Sequence, residues 1–121
     1  MSAELQLTVR EGPDGLVIVE VAGELDFHTS NALDREVTAV SDAHSRLVLD
    51  MSQVTFCDSS GLSALLHLLR HTQATGTALT LVAVPAQTMR LLTITGSDAV
   101  FTIHGSLTEI PAAPDGPQGD A

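Results

Sequence analysis

Asp58, Ser59 and Ser60 stand together in the run Phe56-Cys57-Asp58-Ser59-Ser60-Gly61-Leu62. An extended apolar run, Leu47-Val48-Leu49, leads towards them, and a helical run from Ser63 to Thr75 leads away. Two hydroxyls therefore lie where a loop becomes the first turn of a helix. The first N–H groups of a helix lack partners within it, and the aligned peptide dipoles add positive charge, so a phosphate is held there at low cost. The bland alternative is that Asp58 or Ser59 is the helix N-cap, worth about 1 kcal/mol. Taken alone, the tetrapeptide favours the cap, because such caps occur at helix starts everywhere. As an acceptor, Ser59 on an exposed turn is within reach of a kinase. A phosphate there would bring about −1.5 to −2 charges beside Asp58. The helix end would offset that by roughly 0.3–1 kcal/mol, so the fold should survive. The effect would fall on binding: a desolvation penalty of about 3 kcal/mol at a packed interface weakens affinity on the order of a hundredfold.

Other chemistry finds less support. His67 and His71 are spaced i, i+4 on the same helical run and could share a metal, but a third ligand at suitable spacing is missing. Cys57 has no flanking cation, and the adjacent Asp58 carboxylate disfavours a thiolate. A serine hydrolase needs a Gly-x-Ser-x-Gly elbow or a Ser–Lys pair, and the chain contains neither. No Gly-Lys-Ser/Thr phosphate loop occurs either. These absences point away from an enzyme and leave no cofactor implied.

Composition narrows the partners. The chain of 121 residues fits one domain, and 44% hydrophobic residues make it globular rather than disordered. Its only aromatics are Phe27, Phe56 and Phe101, so Leu, Val, Ile and Ala must build the core, and no platform exists for stacking bases. The formal charge is −10 and the fixed cations are five Arg, with no Lys. Nucleic-acid binding needs clustered cations, so proteins with basic patches are the expected partners. No apolar stretch has the length of a membrane span, the N-terminus is acidic where a signal peptide is basic, and the single Cys has no internal partner. Together these fit a soluble cytoplasmic protein. The Lys-free, Ala/Thr/Asp-rich usage points to a high-GC bacterial genome.

The elements that must position the serines follow from periodicity. Leu5, Leu7 and Val9 alternate with polar residues, predicting a half-buried strand to Arg10. Gly12-Pro13-Asp14-Gly15 is a turn, and Leu16 to Ala22 a second strand in a hairpin with the first, ended by Gly23-Glu24-Leu25-Asp26. Leu33, Val37 and Val40 predict a helix from Ser30 to Ala43. Arg46 to Asp50 reads as a central strand. On the helix after the serines, Leu62, Leu65, Leu66 and Leu69 form the expected buried stripe, and Gly76 stops it. A strand over Ala78 to Val84, a helix over Thr88 to Thr95 and a last strand over Val100 to Ile103 complete the order β-β-α-β-α-β-α-β. The expected fold is α/β: a mostly parallel sheet of four to five strands, an opening hairpin, and helices mainly on one face. Residues 1–110 form the domain. From Pro111 the Pro/Gly-rich sequence predicts a disordered tail over 111–121.

The run Phe56 to Leu62 resembles the signature of the STAS-domain anti-sigma factor antagonists. Gly23-Glu24-Leu25-Asp26, Leu49-Asp50-Met51-Ser52-Gln53-Val54, Leu91-Leu92-Thr93-Ile94-Thr95-Gly96 and Val100-Phe101-Thr102-Ile103 resemble further landmarks of that family, in order, over about Leu5 to Ile110. The resemblance implies that the unphosphorylated protein binds an anti-sigma factor, a serine kinase with a histidine-kinase-like ATP fold, and so frees a sigma factor. It implies that the kinase phosphorylates Ser59 and that the complex then dissociates, with a PP2C-type phosphatase restoring the free hydroxyl. Glu24, Asp26, Asp58, Ser60 and Gly61 would belong to the partner-binding surface, and Mg²⁺ and ATP would be carried by the kinase. Without the resemblance, Asp26 reads as a cap of the first helix or a solvated loop end. The sequence departs from the family in its C-terminal helix, which Pro111 cuts short after Ser106 to Ile110, and in Cys57, a small hydrophobe where an aliphatic is usual. A STAS module regulating a transporter or signalling assembly, without sigma-factor control, is the alternative, because one fold serves several partners.

Overall fold

The computed structural model describes residues 5–110; the expected tail from Pro111 lies outside them. Strands β1 (Gln6–Glu11) and β2 (Leu16–Leu25) pair antiparallel. In the turn between them Asp14 and Gly15 both take positive φ, 59° and 77°, the twist that suits a tight hairpin. The chain then alternates through α1 (Ser30–Ser41), β3 (Arg46–Cys57), α2 (Ser59–Thr75), β4 (Ala78–Val82), α3 (Ala86–Thr95) and β5 (Thr102–His104). Sheet order follows chain order, and β2 to β5 are parallel. Right-handed crossovers that all step the same way leave the three helices on one face. The core agrees: Leu33 and Val37 of α1, Leu65 and Leu68 of α2 and Leu92 of α3 join one cluster with Val17, Val19, Leu47, Leu49, Leu79 and Leu81. The α/β architecture expected from the sequence is therefore the observed one, with five strands.

The third strand differs from expectation. It was expected to end at Asp50 and instead runs on to Cys57. Two irregularities in its pairing with β2 explain why alternation fails there. Glu20 pairs with Asp50 and Ala22 with Gln53, then Gly23 pairs with Val54 and Glu24 with Phe56, so β3 takes an extra residue at each step. Each bulge moves the buried positions by one, from Leu47, Leu49 and Met51 to Val54 and then Cys57. Ser52 N–H donates to Asp50 Oδ1 at 3.0 Å at the first of them. The second strand likewise extends to Leu25, past the expected end at Ala22.

The stripe on α2 is wider than expected. Leu62 and Leu65 are buried, but Leu66 and Leu69 are only half-buried, while Ala64, Leu68 and Thr72 are buried. The helix rests on the sheet and against α1 together, so its apolar face spans more than one row. Smaller differences lie at ends. α1 stops at Ser41, β4 at Val82 before Ala83 takes φ 55°, and α3 opens at Ala86. A 3-10 turn at Ser97–Ala99 delays β5 to Thr102, and the segment before Pro111 holds a single 3-10 turn, Leu107–Glu109.

Candidate functional site

The bulged half of β3 carries the serine turn up beside the end of β2. Leu25 and Cys57 are register partners, and Asp58 N–H donates to the Leu25 carbonyl at 3.0 Å. Asp58 alone separates strand from helix, with extended backbone (φ −108°, ψ −170°). Its Oδ1 accepts from Ser60 N–H at 2.8 Å and Gly61 N–H at 3.1 Å. Asp58 is therefore the N-cap of α2, and Ser59 is its first residue. Ser59 is exposed, and among the described residues its hydroxyl has no hydrogen-bond partner; Ser60 is half-buried behind it. Two of the free amides of the helix end are already occupied by the Asp58 carboxylate, so a group added on Ser59 would enter a site that holds one anion.

Gly61 lies beneath this turn. A Cβ on it would fall 2.5 Å from the Leu25 carbonyl oxygen and 2.9 Å from Cys57 Sγ. The missing side chain lets the first turn of α2 rest directly on the end of β2. Gly61 thus shapes the surface from below and offers no side chain to a partner.

The neighbouring loop, from β2 into α1, is held by its own side chains. Asp26 Oδ1 accepts from His28 N–H at 2.9 Å and Thr29 N–H at 3.2 Å. Thr29 Oγ1 donates to the Glu24 carbonyl at 2.7 Å and accepts from Asp26 N–H at 3.0 Å. Asp26 orders the turn that leads into α1, but it is not the cap considered from sequence: Thr29 is the N-cap, and no side chain caps the helix. Its loop still opens on the same rim as Ser59, because β2 and β3 are adjacent parallel strands ending side by side. Glu24, Asp26 and Asp58 are each partly exposed there.

One residue of the site was not legible beforehand. Gln87, on the first turn of α3, accepts from Cys57 N–H through Oε1 at 3.0 Å and donates from Nε2 to the Cys57 carbonyl at 2.8 Å. β4 ends its pairing with β3 at Asp50, so the far half of β3 needs another partner on that side. Gln87 supplies it at the residue before the cap. The expected helix began at Thr88; a start directly after Pro85 would have included Gln87.

The remaining candidates fall into structural places. Cys57 is 1% exposed. Burial, with the Asp58 carboxylate adding to it, pushes its thiol up to about 12. It is therefore protonated and poorly nucleophilic at neutral pH. His67 and His71 do not converge on a shared ligand position. His67 Nδ1 lies 2.7 Å from Asp34 Oδ1 and His71 Nε2 lies 2.7 Å from Asp42 Oδ1, tying α2 to α1 and its end. Among the described residues no group of His, Cys, Asp and Glu is arranged to hold a metal ion, and no helix is long and apolar enough to cross a membrane.

Comparison with known proteins places this geometry. Residues 7–110 match the model of the STAS domain family. An anti-sigma F factor antagonist of Paenibacillus polymyxa is 28% identical over 102 residues, covering 79% of this chain and 87% of that protein. The crystal structure of an anti-sigma factor antagonist from Mycobacterium paratuberculosis is 31% identical and superposes with a TM-score of 0.78, covering 90% of this chain and 94% of that one. The fold is shared more widely. A sulfate transporter family protein from Wolinella succinogenes gives a TM-score of 0.71 at 20% identity, covering 82% of this chain and 84% of that one. With its capped serine turn on a bulged strand, the chain belongs to the STAS domain family and, within it, to the anti-sigma factor antagonists.

Proposed function

We propose that this protein relieves inhibition of a sigma factor by binding its anti-sigma factor, a serine kinase with a histidine-kinase-like ATP fold, and that phosphorylation of Ser59 ends that binding. The observation that carries the reading is the placement of Ser59: exposed, first in α2, with a free hydroxyl, on a rim it shares with Glu24, Asp26 and Asp58. A PP2C-type phosphatase would restore the acceptor. The chain supplies the acceptor hydroxyl and the recognition surface, and the kinase supplies nucleotide and Mg²⁺. Residues 1–110 would act as the single functional domain in the cytoplasm.

The switch works through charge rather than refolding. Ser59 contributes little to packing, so the folded state gains or loses little when it is modified. Asp58 already occupies the helix end, so the added dianion is only partly offset there and stands in an acidic rim. A partner that has desolvated this rim would lose on the order of a hundredfold in affinity for a penalty of about 3 kcal/mol.

The test is phosphorylation by purified anti-sigma factor kinases of the encoding organism with ATP, followed by mass-spectrometric mapping. Phosphate on Ser59, and loss of binding by Ser59→Asp with an unchanged melting midpoint, are expected. Phosphate elsewhere, or full binding by Ser59→Asp, overturns the proposal. Capture of a membrane permease in place of the kinase would favour the transporter-regulating alternative.

A further inference from the structure

Two of the three aromatic side chains are withheld from the core. Phe101 is 7% exposed, whereas Phe27 is 75% and Phe56 is 43% exposed. Both exposed rings belong to the segments that carry the rim, Phe27 to the loop after β2 and Phe56 to the end of β3. Phe27 follows Asp26 in the loop after β2 and meets the His28 ring edge-on at 5.7 Å. Phe56 is the penultimate residue of β3, in register with Glu24 and two residues before Asp58.

The backbone is built to turn Phe56 outward. Without the second bulge, Val54 and Phe56 would both point to the core under strict alternation. The extra residue between them lets Cys57 take the inward position and turns Phe56 to solvent. Bulges of this kind commonly re-aim a side chain beside a functional site. A core short of aromatics would gain from burying Phe56, since a large apolar side chain stabilises when removed from water. Its exposure therefore calls for a different contact.

We infer that Phe27 and Phe56 are paired apolar anchors for the anti-sigma factor, seated in an apolar cleft of that protein bordered by Arg or Lys. The inference rests on the partner-binding reading of the same rim. Charge complementarity selects the border: residues 24–28 and 56–60 contain Glu24, Asp26 and Asp58 and no Arg or Lys. Exposed aromatics surrounded by polar groups that exclude water are the usual energetic centres of protein interfaces. The anchors also strengthen the switch. Seating the rings expels water around Ser59, so a phosphate arriving there has less solvent to stabilise it.

The exposed aliphatics Val9, Ile94 and Val100 lie outside the segments 24–28 and 56–60. Ile94, 75% exposed, lies two turns along α3 from Gln87, the residue that reaches the site. It serves as a control.

The experiment measures affinity and dissociation rate for the purified anti-sigma factor kinase with the wild-type chain and with Phe27→Ala, Phe56→Ala and Ile94→Ser. Each Phe variant is expected to bind at least about tenfold more weakly, mostly through faster dissociation. Melting midpoints should stay near wild type, and Ile94→Ser should bind as wild type does. Unchanged binding by either Phe variant, alongside normal wild-type binding and Ser59 phosphorylation, overturns this inference alone. An equal loss in Ile94→Ser also overturns it. If no such kinase binds the wild-type chain, the proposed function falls and the anchors with it.

Discussion

The Gln87 side chain closes both main-chain hydrogen bonds of Cys57, accepting its N–H at 3.0 Å and donating to its carbonyl at 2.8 Å. An amide side chain thus takes the place of a neighbouring strand where β4 no longer reaches. It anchors the residue before the cap of α2 and so holds the serine turn from the side opposite Leu25.

Gln87→Ala leaves two backbone groups of a buried residue without their partner. A cost of about 1–3 kcal/mol is expected in urea denaturation. Amide hydrogen exchange at Cys57 should accelerate more than at residues of β1. Gln87→Glu keeps an acceptor for the N–H but loses the donor, so it should fall between the two.

Gly61→Ala sets two effects against each other. Alanine in a helix gains up to about 1 kcal/mol over glycine. Against that, the new Cβ would meet the Leu25 carbonyl oxygen at 2.5 Å, and backbone cannot move aside cheaply. Overpacking of this kind costs about 1–3 kcal/mol, so net destabilisation is expected. A melting midpoint at or above wild type would contradict this packing role.

Asp58→Ala removes the acceptor for Ser60 and Gly61 N–H. The expected loss is about 1 kcal/mol, and Asp58→Asn should recover most of it, because asparagine caps nearly as well. A difference between the two in chemical denaturation separates capping from charge.

Cys57 predicts a pH dependence. Its thiol is raised from 9.0 to about 12 in the folded protein, chiefly by burial and then by Asp58. The unfolded chain releases this proton above about pH 9, while the folded chain retains it. Folding stability from this group is therefore intact below about 9 and declines as pH climbs from there towards 12. Cys57→Ala should flatten that decline while lowering stability at pH 7 through the space it leaves. In the native protein the thiol should resist a disulfide reagent at pH 8 and react on unfolding.

Local patterns carried much of the fold. The first strand, the Asp14-Gly15 turn and the glycine stops at Gly76 and Gly96 are short-range physics, readable within a few residues, although the buried face expected of that strand fails at Val9, which is 47% exposed. The serine turn was readable too, because Asp, Ser and Ser before a leucine-rich helix are a capping pattern wherever they occur. The far half of β3 was not readable. Ser52, Gln53, Thr55 and Phe56 break the two-residue period, and only pairing with β2 across two bulges makes that segment a strand.

From sequence alone came the α/β order, the acidic net charge, and Ser59 beside Asp58 as the acceptor candidate. Those follow from composition and near-neighbour spacing, which do not depend on distant contacts. The tertiary structure decided which residues support that serine: Leu25 beneath it, Gly61 yielding room, Gln87 bracing Cys57 from a helix 30 residues on. It also decided which aromatics stay outside the core, because burial is settled by strand register and helix docking, and these are contacts between residues far apart in the chain.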